Sequence, residues 1–464
     1  MGGQSSKDSR FTEMKSKTGK DKIISIKGLV NDSNSPVDMY IFEYEDLSKT
    51  VVKLWISSNS IADKNKKIDS KALNYEANVY KDISEFKNPE YKNNFLEIVR
   101  FEQDVRYDDV LKLLETYAII DRFDDDIKVT PENTLAEELE INKETKIIAE
   151  KKQEVKDMIK FNFNRNLQYM LCQLEGKPSV YDDKDIDTRF LNKRLEQNKC
   201  EPIIKFEKIR LNYLETRFFD GKNLDRYFIE KYNLYNGSFK VLDENEKSLI
   251  RQELASIVFN IILTIGYMNE NNIYHQDLQL DNILVNKYGS FRILDFDKSY
   301  DDNLEKDNPI AYAEKYITYP SDSSIINKRV ELGEVTGLIN SDKYKYRDLV
   351  KFICNIRRKN ILKDILPMST EQYTKILFKN ESKNINEINE IIESDIVASY
   401  CVFSEYQFKQ DIWNSSEDII KEYTLYLQRM LGEKEFVSIT NDIYNKYNKY
   451  DEYDEYDKYD KLIM

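Results

Sequence analysis

Cysteine is sparse in this chain: Cys172, Cys200, Cys354 and Cys401 stand far apart, with no CxxC spacing among them. Neither a disulfide framework nor a zinc site can organise such a fold, and a reducing cytosol is the expected compartment. Glycine (12) and proline (8) are few for 464 residues and histidine occurs once, while Lys, Asn, Ile and Tyr abound. Usage of this kind is what an A+T-rich genome gives. No apolar run approaches the roughly 18 residues of a membrane helix, and no secretory signal opens the chain. A positive excess is lacking too. The formal net charge of −14 argues against nucleic acid as a partner, because phosphate binding needs a basic face.

What remains is ample for a core. The apolar share is 41% against 33% charged, and the length suits two or three domains or one two-lobed domain with insertions. The most informative stretch is NNIYHQDLQLDNILVNKYGSFRILDFDKSY, Asn271 to Tyr300. It holds His275, Asp277, Leu278 and Asn282 in the order H-x-D-L-x-x-x-N, and then Asp295-Phe296-Asp297. Between them Ile283-Leu284-Val285 and Phe291 to Leu294 flank a turn containing Gly289, which predicts a hairpin. A hairpin folds back on itself and lets Asp277, Asn282 and Asp295 converge. Three oxygen-bearing side chains in one pocket suit Mg²⁺, a hard cation usually held together with substrate phosphates. A chance acidic hairpin is the plain alternative.

These motifs resemble the protein-kinase-like superfamily. The resemblance implies an α+β, two-lobed fold, with a small antiparallel sheet and one helix in the N-lobe and a mainly helical C-lobe. ATP and Mg²⁺ are the implied cofactors. Asp277 would be the catalytic base, Asn282 and Asp295 the metal ligands, and His275 a structural residue holding the loop against Phe296. The form H-x-D-L-x-x-D-N with Asp-Phe-Asp and an Arg347-Asp348-Leu349 helix is most similar to the serine/threonine protein kinases of large DNA viruses. Asp348 would then brace the catalytic loop; as a sequence feature alone it is an acid in a helical first turn, where the dipole favours it.

The other elements follow in chain order. Ile23 to Val30, Val37 to Tyr44 and Thr50 to Ile56 are three apolar runs separated by turns, an antiparallel sheet. The first turn takes the place of the kinase Gly-rich loop but offers only Gly28 before Asn31, Asp32 and Ser33. Lys53 lies among apolar neighbours in the third run, either an edge-strand lysine reaching solvent or the kinase phosphate lysine. Leu73, Val79, Tyr80 and Ile83 mark a helical stripe that includes Glu76. A carboxylate aimed into a core is costly unless paired, and the resemblance makes Lys53 its partner. Phe95 to Phe101 reads as a strand. Residues 102–205 read as an insertion with helical stretches at Asp108 to Tyr117 and Pro131 to Phe163, the second highly charged. Arg210 to Phe219 resumes the sheet, and Asp220-Gly221 turns into a helical run, Lys222 to Tyr232. By resemblance this is the hinge, where main chain from Thr216 to Gly221 would receive adenine. Glu244 to Glu270 is a core helix by its wide apolar stripe.

The expected organisation is a flexible basic tail (1–22), an N-lobe (23–101 and 206–219) interrupted by the insertion (102–205), a C-lobe (220–440) and a Tyr/Asp-rich tail (441–464). Residues 370–440 predict two to four helices. Tyr444 to Tyr459 recur every third residue, a period matching neither strand nor helix. Disorder is the plain reading of that tail and a phosphotyrosine or inhibitory tail the sharper one.

The resemblance implies γ-phosphoryl transfer from ATP to a protein hydroxyl. Gln279 stands where a serine/threonine kinase has Lys, and Asp-Phe-Asp is also the form of aminoglycoside and choline phosphotransferases. A small-molecule acceptor is therefore an alternative. A membrane-tethered pseudokinase scaffold is another, favoured by the poor glycine loop and by Asp297 in place of a glycine. Gln276 replaces the Arg that grips activation-loop phosphate in many kinases. A phosphate on Ser299, Tyr300 or Thr318 would gain little from a neutral amide, so activity is expected without one.

Met1-Gly2-Gly3-Gln4-Ser5-Ser6 fits the N-myristoylation pattern at Gly2. The next residues, 7–22, carry six basic against three acidic side chains. One acyl chain gives only marginal membrane binding, and a basic stretch can supply the second signal. Gly2→Ala should therefore move the protein from the membrane to the soluble fraction, and high salt should do so partly. An unmodified N-terminus by intact mass, in a cell that has the transferase, would contradict this.

Overall fold

Alternating burial along one strand shows how the first sheet is used. In a computed structural model the described residues are 22–28, 37–57, 60, 71–118, 137–174, 203, 205–234, 238–275, 278–296, 299–301, 304, 347–379 and 414–447. Residues 1–21, 29–36, 448–464 and most of 297–346 are among those that lie outside them.

Strands β1 (Ile23–Gly28), β2 (Asp38–Tyr44) and β3 (Lys49–Ile56) are followed by helix α1 (Lys71–Ser84) and a short turn of helix, α2 (Pro89–Lys92). Next come β4 (Ile98–Arg106), α3 (Tyr107–Tyr117), α4 (Glu137–Leu174) and β5 (Arg210–Arg217). The five strands form an antiparallel sheet in the order β1-β2-β3-β5-β4. The chain divides into two compact units, the first comprising residues 1–74, 98–218 and 315–327.

Residues directly opposite in an antiparallel pair share a face. Lys53 lies opposite Met39 and Leu214, and Trp55 opposite Asn212. On this face Asn74 of α1 accepts hydrogen bonds from Trp55 Nε1 (3.3 Å) and Asn212 Nδ2 (2.7 Å). The other face carries Asp38, Tyr40, Phe42 and Tyr44, all buried. It is covered by the insertion. Helix α4 packs on α3, β2 and β3, and α3 packs on β1 and β4. Ile159, Phe163, Leu167, Met170 and Leu171 of α4 are buried, and Asn166 Nδ2 donates to Asp38 Oδ2 (3.0 Å). Burial raises the Asp38 carboxyl above its ordinary value, opposed by donors from Tyr40 and Asn166. The highly charged stretch expected to be helical from Pro131 to Phe163 is thus core over its C-terminal turns, and the helix runs past Phe163 to Leu174.

On the same face a buried carboxylate, Glu215, accepts from the hydroxyls of Tyr44, Thr50 (2.7 Å) and Tyr213 (2.9 Å), with Arg100 Nε at 3.9 Å. Three donors and a cation offset the cost of placing a charge inside the sheet. Burial, and then the Glu215 charge, push the hydroxyls of Tyr44 and Tyr213 well above their ordinary range.

The second unit comprises residues 75–97, 219–314 and 328–464. Its described elements continue with β6 (Lys222–Asn223), α5 (Leu224–Tyr232), α6 (Glu244–Glu270) and β7 (Ile273–Tyr274). Then come β8 (Ile283–Val285), β9 (Phe291–Ile293), β10 (Tyr300–Asp301), α7 (Arg347–Arg358), α8 (Asn360–Ile365), α9 (Thr370–Leu377), α10 (Ser416–Leu431) and α11 (Glu433–Tyr447). The bounds of α6 agree with its periodicity, and a capping box explains its start. Asp243 Oδ1 accepts from Glu246 N–H (2.8 Å), while Glu246 Oε2 accepts from Asp243 N–H (3.2 Å). This helix is apolar and long enough to cross a membrane by composition, yet 67% of the relevant window is buried in protein. Helices α7, α8, α10 and α11 pack on it.

The segment after α1 docks on the far end of α6. Asn94 Nδ2 donates to Thr264 Oγ1 (2.8 Å), Tyr91 stacks on Tyr267 at 4.3 Å, and Ile293 N–H donates to Asn94 O (2.8 Å). These bonds explain why 75–97 belongs with the second unit although β3 and β4 belong to the first.

Because α4 covers a sheet face, it should act as core. Leu167→Ala removes a fully buried side chain and should cost about 2–5 kcal/mol by urea unfolding followed by circular dichroism. An unchanged midpoint would mean that the insertion is only appended to the sheet.

Candidate active site

The hairpin forms as the sequence predicts, with β8 antiparallel to β9 and Gly289 in the turn at φ +80°. Its two ends are tied together just beyond the strands. Leu294 N–H donates to Asn282 O (2.9 Å), and Asn282 N–H donates to Gln279 O (3.0 Å). Asn282 is thus brought beside the residue preceding Asp295. Both are half-buried, and both offer the oxygen donors that a hard cation requires. Among the described residues no group of three or more His, Cys, Asp or Glu could hold a metal. Asn282 and Asp295 are the two expected metal ligands among the described residues, and their oxygen donors fit a hard cation such as Mg²⁺. Asp277, with Gln276 and Asp297, lies outside the described residues, as does Gly2.

His275 is fully buried and is held from three sides. Its main-chain N–H donates to Asp348 Oδ2 (2.7 Å). Its Nε2 lies 2.7 Å from Leu294 O, and since a carbonyl can only accept, Nε2 carries the proton. Its ring packs on Phe296 at 4.7 Å between centroids. Phe296 in turn meets Tyr80 edge-on at 5.1 Å and Phe95 at 5.9 Å. The imidazole is therefore a bracket between the loop and the Asp295-Phe296 segment.

Asp348 is also fully buried, in the first turn of α7. A second brace was not anticipated from the sequence. Asn355 Nδ2 donates to Leu278 O (3.3 Å), so two polar residues of one helix hold the loop. They stand seven positions apart, close to two helical turns and so on one side of α7. Two polar residues at that interval among Leu349, Val350, Phe352, Ile353 and Ile356 were the available signal.

Other expected residues fall as follows. Lys53 is half-buried in β3, in the first unit, and Glu76 is fully buried in α1, in the second. Gly28 is the exposed last residue of β1, and a Cβ there would meet open space, so its backbone does not demand glycine. Thr216 requires a correction. It sits in β5, an interior strand, opposite Val51 on one side and Ile98 on the other, so its main-chain groups are engaged in the sheet. Phe218 N–H likewise bonds Lys49 O (3.0 Å). Gly221 is required sterically: a Cβ would lie 2.7 Å from the Phe219 ring and 3.0 Å from Leu284 Cβ.

Beyond Phe296, Ser299 is fully buried and donates through Oγ to Phe296 O (2.6 Å). Tyr300 is buried in β10, paired with Tyr274 of β7. Neither side chain is presented for modification. Thr318 lies outside the described residues.

A five-stranded antiparallel sheet, a mainly helical second unit, and a hairpin whose loop is braced by a histidine and a helical Asp define a two-lobed α+β kinase fold. Part of the chain is similar to known protein kinases. A family model described as protein tyrosine and serine/threonine kinase matches residues 198–315. Serine/threonine-protein kinase 1 of Lymantria dispar multicapsid nuclear polyhedrosis virus is 24% identical over 128 residues, covering 26% of this chain and 45% of that protein. Serine/threonine-protein kinase CLA4 of Candida albicans is 24% identical over 86 residues, 18% of this chain and 9% of that one. The chain spans less than half the length of either relative.

Asp348 should prove indispensable for loop order. Asp348→Ala leaves the buried His275 N–H without this acceptor and should cost about 1–3 kcal/mol. Asp348→Asn keeps an acceptor oxygen and should cost less. Thermal unfolding of both variants decides; equal losses would show that the His275 bond is not what matters.

Proposed function

We propose that the chain is an ATP-dependent phosphotransferase of serine/threonine protein kinase type, moving the γ-phosphate of ATP to a protein hydroxyl. The observation that carries this reading is the closure of the hairpin ends, Leu294 N–H to Asn282 O, which gathers the two proposed metal-holding residues. Asn282 and Asp295 would hold Mg²⁺, which when bound with the nucleotide supplies neutralisation of phosphate charge. Asp277 would orient the acceptor hydroxyl and take its proton. Lys53, fixed by Glu76, would position the phosphates, and His275 keeps the loop shape without moving a proton. Catalysis on this scheme is positioning and charge stabilisation. The viral relative supports a viral-type kinase, and a cytoplasmic site with a Gly2-linked membrane tether completes the proposal.

Asp277→Asn should keep the fold and nucleotide binding but abolish transfer, since its shape survives and its basicity does not. Asp295→Asn should chiefly lose Mg²⁺-dependent nucleotide binding. Both are read by a nucleotide-binding titration with and without Mg²⁺, followed by transfer to protein and to small-alcohol acceptors. Transfer by Asp277→Asn within a few-fold of the parent would remove the base assignment. Transfer only to small alcohols would replace the protein acceptor, and binding without turnover would leave a scaffold.

A further inference from the structure

Helix α1 sends two tyrosine hydroxyls to the main chain that follows the hairpin. Tyr80 Oη accepts the N–H of Asp295 (3.1 Å), and Tyr75 Oη accepts the N–H of Asp301 (2.7 Å). The two bonded amides lie on either side of Phe296, Ser299 and Tyr300, all of them buried. Asp82, two turns beyond Tyr75, also hydrogen-bonds the Asp301 side chain.

The first of these bonds falls on an unusual backbone. Asp295 has φ +67°, in the left-handed region that costs a non-glycine residue roughly 1–2 kcal/mol. Such a conformation persists where its surroundings fix it. Here Tyr80 supplies both an edge-on ring against Phe296 and an acceptor for the Asp295 amide. At the other end, β10 pairs with β7 through Tyr300–Tyr274 and Asp301–Ile273, and Tyr75 holds the last amide of that strand.

We propose that Tyr75 and Tyr80 are positioning residues, a two-point clamp by which α1 holds the amides of Asp295 and Asp301 and thereby aims the Asp295 carboxylate. This rests on the metal-holding role given to Asp295 above. It assigns to neutral hydroxyls a task that a phosphorylated side chain gripped by arginine can perform elsewhere. It accords with Gln276 and with the burial of Ser299 and Tyr300. The clamp makes the position of α1 and the position of Asp295 a single variable.

The test uses the full chain with Tyr75→Phe, Tyr80→Phe and the double variant, each of which removes a hydroxyl and keeps the ring. Hydrogen–deuterium exchange is followed in peptides covering 294–301 and, as an internal reference, 254–268 of α6. Loss of one hydrogen bond should speed exchange of the segment about fivefold, and loss of both about twenty-five-fold if the sites add, with α6 unchanged. ADP affinity is then measured with and without Mg²⁺. The gain in affinity that Mg²⁺ confers should shrink by a similar factor, while Mg²⁺-free affinity stays constant. Unchanged exchange in the double variant overturns the clamp. So does equal acceleration in α6, or an equal fall in both affinities, which would mark a merely structural role. If the parent protein binds no nucleotide, the functional reading fails, and the exchange data alone still decide whether the clamp exists.

Discussion

The buried bond from His275 N–H to the Asp348 carboxylate is the constraint on which the second unit turns. Loops normally leave main-chain groups to water, yet the N–H of His275 is buried and needs a partner within the protein. Asp348 meets that need from a helix remote in sequence, and a hydrogen bond to a charged acceptor is worth about 1.5–3 kcal/mol. With the backbone of His275 fixed, its ring can do two further things at once. It donates to Leu294 O and packs on Phe296. The orientation of the hairpin exit, and hence of Asp295, follows from one main-chain bond made by the only histidine in the chain.

The two units solve the problem of buried charge in different ways. In the second, an acid is buried to hold backbone. In the first, Glu215 is buried to hold side chains, collecting three hydroxyls from β2, β3 and β5 with an arginine near by. Such a hub ties strands together through directional contacts that apolar packing alone would not specify. Both devices place a carboxylate where removal of a partner is costly and substitution tolerance is low.

Much of this was legible in the residues because it is local. Apolar runs between turns marked β1 to β3, an apolar stripe marked α6, and turn chemistry at Asn286 to Gly289 marked the hairpin. The motif order within 275–295 indicated the fold. What escaped depends on partners distant in the chain. Strand β4 continues to Arg106 because β5 pairs with it, whereas the residues themselves suggested an insertion from 102. Helix α4 extends to Leu174 because its last turns bury apolar side chains on a sheet written elsewhere in the sequence. Thr216 looked like hinge because nothing local reveals that a strand will be interior. The hydroxyls of Tyr75 and Tyr80 look like ordinary members of a helical stripe, and only the packed structure shows that they accept main-chain amides.

The insertion has a consequence for how the sheet is built as the chain is made. Strands β4 and β5 are immediate neighbours in space, yet α3 and α4 lie between them in sequence. Strand β5 also separates β3 from β4, so the sheet has a gap between them until residues 210–217 have been synthesised. Until then β3 and β4 present open edges, the condition under which strands pair wrongly or with other chains. Helix α4 is complete before β5 appears, and it packs on β2 and β3. It can therefore cover one face of the sheet early, while the edges of β3 and β4 stay open until β5 arrives.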